Sequence, residues 1–313
     1  MKNKGELVRL QAMKKSRVNL GFSFLFLIIS ILSPSVAFSY DSNAILSFYQ
    51  PLIHRLLQDG FDVQFLSKLM SDPRAELNPS VLAIYINVKE DPERYNQFLT
   101  PESILLAKKF LHQNLNLLGE MEKQFHVDKE VVVAILLIES RFGENIGKYR
   151  VIPTFASMAL MDSHDNIQKN YQVLRENDPD LSYERVEAFA KRRAEWAYHQ
   201  LKCFLNIIRD ERVDPLEVYG SYAGAVGMAQ FIPSSYLAYA QSKKGLESWL
   251  LSKEDSINSI GNYLKSQGWK KNITVERKKQ LIWTYNHSEP YVKTVLQIAQ
   301  KLRSKPIEGK SEP

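Results

Sequence analysis

Apolar residues recur every three or four positions along most of the chain, which is the spacing of helices with one buried face. The pattern is present in residues 43–58, 101–125, 192–210, 254–265 and 290–302. Thr100 followed by Pro101 is typical of a helix start. Alternating strand patterns between turn signals are scarce. The sequence therefore predicts an all-α fold with little or no β-sheet and no internal repeats.

One segment departs from this amphipathic pattern. Residues 131–138 are eight consecutive apolar residues, followed directly by Glu139. Asp128 could cap such a helix and Gly143 could end it, although the valines would suit a buried strand equally well. A carboxyl at the end of a buried run loses solvation, so its pKa rises and it can serve as a general acid. The alternative is a Glu139 that simply pairs with Arg141 at a helix end.

The N-terminus has the features of an export signal. A basic segment ending at Arg17 precedes an apolar run over residues 20–32, and small residues stand just before Tyr40. The run of 13 residues is shorter than the ~20 needed to span a bilayer. We expect residues 1–39 to be a signal peptide and the protein to be periplasmic. An uncleaved membrane tether is the alternative.

Charge, cysteine and histidine content exclude several classes. The net charge is +6, but residues 1–39 hold six basic residues and one acidic residue, leaving 35 basic and 34 acidic residues. That balance gives no support to a nucleic-acid partner. The one cysteine, Cys203, excludes an internal disulfide and is interpreted as a buried thiol. The six histidines have no paired spacing that would indicate a zinc site.

Four ordered segments resemble motifs of the membrane-bound lytic transglycosylase B family. They are IESRFGENIGKYR at 138–150, RRAEW at 192–196, GSYAGAVGMAQFIPSSY at 220–236 and YNHSEPY at 285–291. The resemblance covers roughly residues 45–300. It implies a lysozyme-like helical cleft with an N-terminal helical part over 40–125, a core over 126–303 and a disordered tail over 304–313.

The resemblance also implies the site. Glu139 takes the position of the family's catalytic residue. The implied substrate-binding residues, which supply hydrogen bonds or flat aromatic faces to sugar rings, are Ser221, Gln230, Phe231, Tyr263, Tyr285, Asn286 and Tyr291. Ordinary core packing is the alternative for the aromatic members.

The resemblance supplies only one catalytic carboxyl, Glu139, whereas ordinary glycosidases use two. This difference limits the mechanisms that are possible. We expect Glu139 to protonate the bond between N-acetylmuramic acid and N-acetylglucosamine in peptidoglycan glycan strands. The muramoyl C6 hydroxyl would then close a 1,6-anhydro ring without water. The alternatives are a hydrolytic muramidase on the same bond and a non-catalytic peptidoglycan-binding protein.

Two segments depart from the family pattern. Residues 241–247 lack the acidic ligands of the calcium loop that some members carry, so we expect no calcium, and no other cofactor. The polar segment 162–190 is longer than the family pattern and is interpreted as a surface insertion with one helix. Its alternative role is to rebuild part of a cleft wall, because the stretch between Trp269 and Trp283 is short.

Overall fold

The computed structural model describes residues 42–86, 91–209, 213–242 and 244–304, with side chains from residue 48 onward. The predicted signal peptide and residues 305–313 of the predicted tail lie outside these ranges. The helices of the first half are α1 (Ser42–Gln58), α2 (Val63–Met70), α3 (Val81–Ile86), α4 (Pro101–Gln113), α5 (Leu115–Phe125), α6 (Lys129–Ser140) and α7 (Val151–Ala159). Those of the second half are α8 (His164–Asn177), α9 (Tyr183–Arg209), α10 (Pro233–Tyr239), α11 (Leu246–Leu251), α12 (Lys253–Ser266), α13 (Val275–Tyr285) and α14 (Glu289–Arg303).

Short elements connect these helices. The 3₁₀ turns are Pro73–Ala75, Pro92–Phe98 and Pro215–Glu217, and the strands are β1 (Tyr149–Arg150) and β2 (Tyr219–Gly220). Among the described residues no helix is both long and apolar enough to cross a bilayer. The prediction of a helical chain with little β-sheet is therefore confirmed.

Side-chain caps set several helix ends. The Ser103 amide donates to Thr100 Oγ1 at 3.3 Å, as the Thr100-Pro101 pair predicts. The single helix expected over residues 101–125 is wrong, because Asn114 interrupts it. Its side-chain amide donates to the Phe110 carbonyl at 2.8 Å, which lets the side chain compete with the helical backbone. The chain therefore divides into α4 and α5.

Helix α6 lies at the centre of the fold. Residues 131–137 are fully buried, and α6 packs against α4, α5, α12 and α14. The predicted cap by Asp128 is wrong, because its carboxylate makes no cap hydrogen bond. It instead binds Lys278 Nζ and Arg303 Nη2, each at 2.5 Å. This carboxylate therefore ties the start of α6 to α13 and α14.

A second group of helices packs behind the first. Helix α9 packs against α7, α8 and α10. The polar segment 162–190 forms α8 and the first turns of α9, so it contributes more than the one helix predicted. Asn170 of α8 is buried; its amide donates to the Pro79 carbonyl at 3.1 Å and its oxygen accepts from the Ala83 amide at 3.2 Å. Helix α8 therefore supports α3.

The two strands join distant parts of the chain. They pair antiparallel, with Tyr149 opposite Gly220. Isolated bridges connect Gly220 with Val226 and Val226 with Phe231. The segment that follows α6 is thereby fixed against the glycine-rich segment. The predicted boundary at residue 125 coincides with the end of α5, and the division into two parts stays a prediction.

Candidate active site

Glu139 is the penultimate residue of α6, where the buried run meets the surface. Its side chain is partly buried, and desolvation raises the pKa of its carboxyl to about 7 from an ordinary value of 4.5. A hydrogen bond from Tyr291 acts in the opposite direction, but burial is the larger effect. A carboxyl with this pKa holds its proton for a substantial fraction of the time at neutral pH.

Tyr291 provides the partner of Glu139 from the first turn of α14. Its hydroxyl donates to Glu139 Oε1 at 2.7 Å, and its side chain is 1% exposed. Burial raises the pKa of Tyr291 well above its ordinary value, so the hydroxyl remains a donor. Ser288 caps α14 by accepting from the Tyr291 amide at 3.1 Å. The predicted site residue Tyr291 therefore contacts the carboxyl itself.

The end of α6 is docked onto the glycine-rich segment. The Ser140 hydroxyl donates to the Met228 carbonyl at 2.8 Å and accepts from the Gly143 amide at 3.0 Å. Arg141 and Phe142 adopt left-handed backbone with φ of 47° and 60°. Gly143 therefore follows the helix end rather than forming its cap, and that prediction is wrong. The turn directs the chain from Glu139 toward β1.

Arg141 does not neutralise Glu139. Its Nε lies 3.3 Å from Glu144 Oε2; Arg141 is partly exposed and Glu144 is exposed. The alternative in which Glu139 pairs with Arg141 at a helix end is therefore wrong. Phe142 stacks on Phe110 with ring centroids 4.1 Å apart, which anchors the turn to α4. The environment of the Glu139 carboxyl therefore still favours its protonated form.

Ser221 lies in a tight turn of the glycine-rich segment. Its hydroxyl oxygen accepts from the Ala223 amide at 3.2 Å and the Ala225 amide at 3.1 Å. Its own amide donates to the Ala225 carbonyl at 2.8 Å. Both lone pairs of the hydroxyl are thereby occupied, and its proton can still be donated. The turn therefore presents Ser221 as a fixed hydrogen-bond donor.

Gln230 joins the glycine-rich segment to the chain after α6. Its side-chain nitrogen donates to the Ile146 carbonyl at 3.2 Å and the Gly227 carbonyl at 2.8 Å. Its backbone is left-handed, with a φ of 50°. Because the nitrogen is engaged by protein, the side-chain oxygen is the atom that can accept from a ligand.

At two positions only glycine fits, because backbone or an aromatic ring lies too close for a side chain. A Cβ on Gly147, whose φ is +99°, would lie 1.9 Å from the Gly220 oxygen. A Cβ on Gly224 would lie 2.2 Å from the Phe155 ring. Neither distance is possible for a side chain without movement of backbone or core. The strand pairing and the Ser221 turn depend on these positions.

The remaining aromatic residues form a packed group beside Glu139. Phe231 is 3% exposed and its ring centroid lies 5.9 Å from those of Tyr263 and Tyr285. Tyr263 is 8% exposed, and its hydroxyl donates to the Thr284 carbonyl. The Tyr285 hydroxyl donates to the Ala229 carbonyl. Substrate contact by these residues stays a prediction, and the burial of Phe231 argues for a packing role there.

Asn286 directly follows Tyr285, the last residue of α13, and caps that helix. Its amide donates to the Ile282 carbonyl at 3.3 Å, and its carbonyl accepts from the Ser288 amide at 2.8 Å. Its side chain is partly exposed. The short 286–288 turn therefore links two predicted site residues, Asn286 and Tyr291, through the Ser288 cap.

Within the ranges that the structure describes, no group of three or more His, Cys, Asp or Glu side chains could hold a metal ion. Cys203 is 9% exposed, and burial raises the pKa of its thiol. Its sulfur lies 3.7 Å from His199 Nε2 on the same helix. This agrees with its interpretation as a buried thiol.

The sequence matches the family described as the transglycosylase SLT domain over residues 46–281. The membrane-bound lytic murein transglycosylase B of Escherichia coli strain K12 is 31% identical over 228 residues, which are 68% of this chain and 54% of that protein. The chain thus spans about half the length of that relative. This chain belongs to the transglycosylase SLT domain family, and the resemblance inferred from the four motifs is confirmed.

Solved structures agree with the fold class. The E. coli lytic transglycosylase SLT35 in complex with bulgecin A is 25% identical with a TM-score of 0.63, covering 82% of this chain and 92% of that one. The soluble lytic transglycosylase SltB1 of Pseudomonas aeruginosa is 22% identical with a TM-score of 0.64, covering 83% and 98%. The all-α, lysozyme-like architecture is therefore confirmed.

Sequence reasoning missed two contacts that hold the site. A serine at a helix end has no distinctive spacing, so the sequence does not single out Ser140, which anchors α6 to Met228. Ser288 lies three residues before Tyr291, which is a recognisable cap position in the sequence. That second signal was available in the sequence.

Proposed function

We propose that this chain is a lytic transglycosylase that cleaves the β-1,4 bond between N-acetylmuramic acid and N-acetylglucosamine in peptidoglycan. The observation that carries the proposal is the partly buried Glu139 carboxyl with a pKa raised to about 7. Its carboxyl accepts a hydrogen bond from Tyr291, and the chain belongs to the transglycosylase SLT domain family.

The reaction proceeds through one carboxyl. Protonated Glu139 gives its proton to the glycosidic oxygen, and the bond from that oxygen to muramoyl C1 breaks. The carboxylate then takes the proton of the muramoyl C6 hydroxyl, whose oxygen bonds to C1 and closes the 1,6-anhydro ring. No water is consumed, and Glu139 ends protonated as it began.

The surroundings of Glu139 support a mechanism with one carboxyl. A second carboxylate nearby would raise the pKa further by repulsion. In the described part of the chain, burial and the Tyr291 hydroxyl are the influences on the pKa of Glu139. Glu144, the nearest acidic residue along the chain, is exposed and paired with Arg141. The substrate's own hydroxyl is therefore the nucleophile we propose.

The remaining site residues position the sugar. Ser221 donates its hydroxyl proton to a substrate acyl or hydroxyl oxygen, and the Gln230 oxygen accepts from a substrate N–H or O–H. Asn286 offers its partly exposed amide near the cleaved bond. Tyr263 and Tyr285 present aromatic faces to the apolar side of the sugar ring, and Phe231 packs behind them.

In this proposal the protein acts on peptidoglycan in the periplasm. Residues 1–39 have the order of a signal peptide, and the E. coli relative is named as membrane-bound. We propose export to the periplasm with removal of this segment. Retention of the segment would leave a membrane tether, which N-terminal sequencing of the mature protein distinguishes.

The products of digestion test the function. Purified protein is incubated with cell-wall sacculi, and the released fragments are analysed by mass spectrometry with isotopically labelled water in the buffer. Anhydro-muramoyl ends without label support the proposal. Labelled reducing ends would instead identify a hydrolytic muramidase. Binding to sacculi without release would identify a binding protein and contradict the proposal.

A further inference from the structure

The RRAEW segment at 192–196 lies on α9, and the proposed mechanism gives it no role. Its second arginine, Arg193, is partly buried and contacts two aromatic rings. The guanidinium carbon lies 4.0 Å from the ring centroid of Trp196 and 4.7 Å from that of Tyr85 on α3. A cation is attracted to the face of such a ring, and more strongly where water is excluded. The side chain of Arg193 therefore joins α9 to α3.

The two rings hold the Arg193 guanidinium without an acidic partner at its Nε atom. This Nε is buried and has no hydrogen-bond partner among the residues that the structure describes. A buried N–H without a partner is unfavourable, and an arginine that served only as an ion-pair partner would have it bonded. The flat guanidinium can stack on aromatic faces, which the compact ammonium of lysine cannot do. The arrangement therefore uses the shape of arginine as well as its charge.

One route from Arg193 reaches the Ser221 turn through Tyr85. The Tyr85 hydroxyl donates to the carbonyl of Tyr222, which directly follows Ser221, and the two tyrosine ring centroids lie 5.7 Å apart. Burial raises the pKa of Tyr85 to about 12, with the charge of Arg193 acting in the opposite direction, so the hydroxyl remains a donor. Arg193 thereby holds the ring whose hydroxyl binds the backbone of the turn.

A second route reaches the same turn through Trp196. The Trp196 ring packs edge-on against Phe155 of α7, with centroids 5.9 Å apart. The Phe155 ring lies so close to Gly224 that a Cβ on this glycine would be 2.2 Å away. The Gly224 amide donates to the Ser221 carbonyl at 2.9 Å, which closes the turn. Two separate chains of contacts therefore connect Arg193 with the Ser221 turn.

We propose that Arg193 is a positioning residue that sets the orientation of the Ser221 hydroxyl toward the substrate. The inference rests on the proposed function, in which Ser221 donates its proton to a substrate acyl or hydroxyl oxygen. A hydrogen bond weakens steeply when its donor moves out of line with the acceptor. The effect of Arg193 passes through Tyr85, through Trp196 and through the turn that carries Ser221.

A double-mutant cycle between Arg193 and Ser221 tests this role. The measured quantity is kcat/KM for cleavage of soluble glycan strands. Ser221→Ala should lower it about tenfold, as expected for loss of one hydrogen bond to the substrate. Arg193→Met should lower it by no more than that. Because Arg193 acts through the turn, adding Arg193→Met to Ser221→Ala should cause little further loss, about twofold or less.

Amide hydrogen exchange examines the turn without any cleavage. The amides of residues 223, 224 and 225 are bonded to Ser221, and they should exchange faster in Arg193→Met than in the wild-type protein. Tyr85→Phe keeps the ring but loses the bond to the Tyr222 carbonyl, so it should have the same effect on a smaller scale. Arg185→Met, at an exposed arginine of α9, is the matched control and should leave both exchange and kcat/KM unchanged.

The outcomes separate this role from the proposed function. Additive losses in the cycle, or unchanged exchange at residues 223–225 in Arg193→Met, overturn the positioning role alone, since the wild-type protein would still cleave. If circular dichroism shows that Arg193→Met does not fold, the same cycle with Tyr85→Phe decides in the same way. A wild-type protein that cleaves no glycan strands overturns the proposed function, and the positioning role with it.

Discussion

The two sides of the candidate site are built on different principles. On the helix side, Glu139 depends on burial at the end of α6 and on one hydroxyl from Tyr291. On the glycine-rich side, Ser221 is held by backbone amides, and Gln230 binds backbone carbonyls. The helix side determines the protonation state of Glu139, and the glycine-rich side holds Ser221 and Gln230 in fixed positions.

This difference determines how each side can fail. A change of one functional group on the helix side should alter proton transfer and leave the fold intact. A small change within the glycine-rich side or where it contacts the chain after α6 should alter the fold, because Gly224 and Gly147 have no space for a Cβ. The predictions below separate these two kinds of failure.

The largest effect is expected from Glu139→Gln. The amide keeps the size of the side chain but cannot give or take the proton, so the rate of glycan cleavage should fall by about 10²–10⁴-fold or more. Release of fragments from sacculi measures the rate, and circular dichroism checks the fold. The exposed Glu144→Gln is the matched control and should stay within a factor of about two of wild type. Full activity in Glu139→Gln would refute the assignment of the acid.

The contact between the segment after α6 and the glycine-rich segment should respond most strongly to Gly147→Ala. The added methyl group would meet the Gly220 oxygen at 1.9 Å in left-handed backbone, so the free energy of unfolding should fall by about 3 kcal/mol or more. Urea denaturation measures it. Gly119→Ala in α5 is the control, because nothing lies within 4 Å of its Cβ. It should raise stability by about 0.5–1 kcal/mol. Equal stability of the two variants would contradict the close approach.

A smaller effect is expected on stability as a function of pH. The folded protein ionises Glu139 near pH 7, whereas the unfolded chain ionises it near 4.5, so wild-type stability should fall as pH rises between these values. Glu139→Gln removes the buried charge and should be more stable at pH 8 by about 1–3 kcal/mol. At pH values below 4.5 both states are protonated and the difference should vanish. Urea denaturation at both ends of the range measures this, and a difference independent of pH would count against the raised pKa.

The smallest effect is expected from Tyr291→Phe. The lost hydrogen bond favours the ionised carboxylate, so its removal should raise the pKa of Glu139 further. The alkaline limb of the pH–rate profile should move to higher pH, by less than the shift that burial causes. Tyr183→Phe, in a ring pair with Tyr171 away from the site, is the control. A limb that moves to lower pH would show that the hydroxyl acts in another way.

Local sequence signals predicted the parts that depend on neighbouring residues. The apolar run 131–138 predicted a buried element with Glu139 at its far end, and Thr100 predicted a helix start. The break at Asn114 was missed, since the apolar spacing continues through it and only its side-chain bond to Phe110 reveals the interruption.

Contacts between distant segments could not be predicted in the same way. Asp128 stands where a cap is expected, but Lys278 and Arg303 approach it from the far end of the chain and attract its carboxylate. The family resemblance supplied the identity of Tyr291 as a site residue, and the fold supplied its contact with Glu139.

The central claim is that the Glu139 carboxyl remains protonated for a substantial fraction of the time near neutral pH. Carboxyl-carbon NMR titration of glutamate-labelled protein tests it most directly, with Glu139→Gln used to assign the resonance. A midpoint near pH 7 is the predicted result. A midpoint near the ordinary value of 4.5 would contradict the account, because the group would then be ionised when the glycosidic oxygen needs its proton.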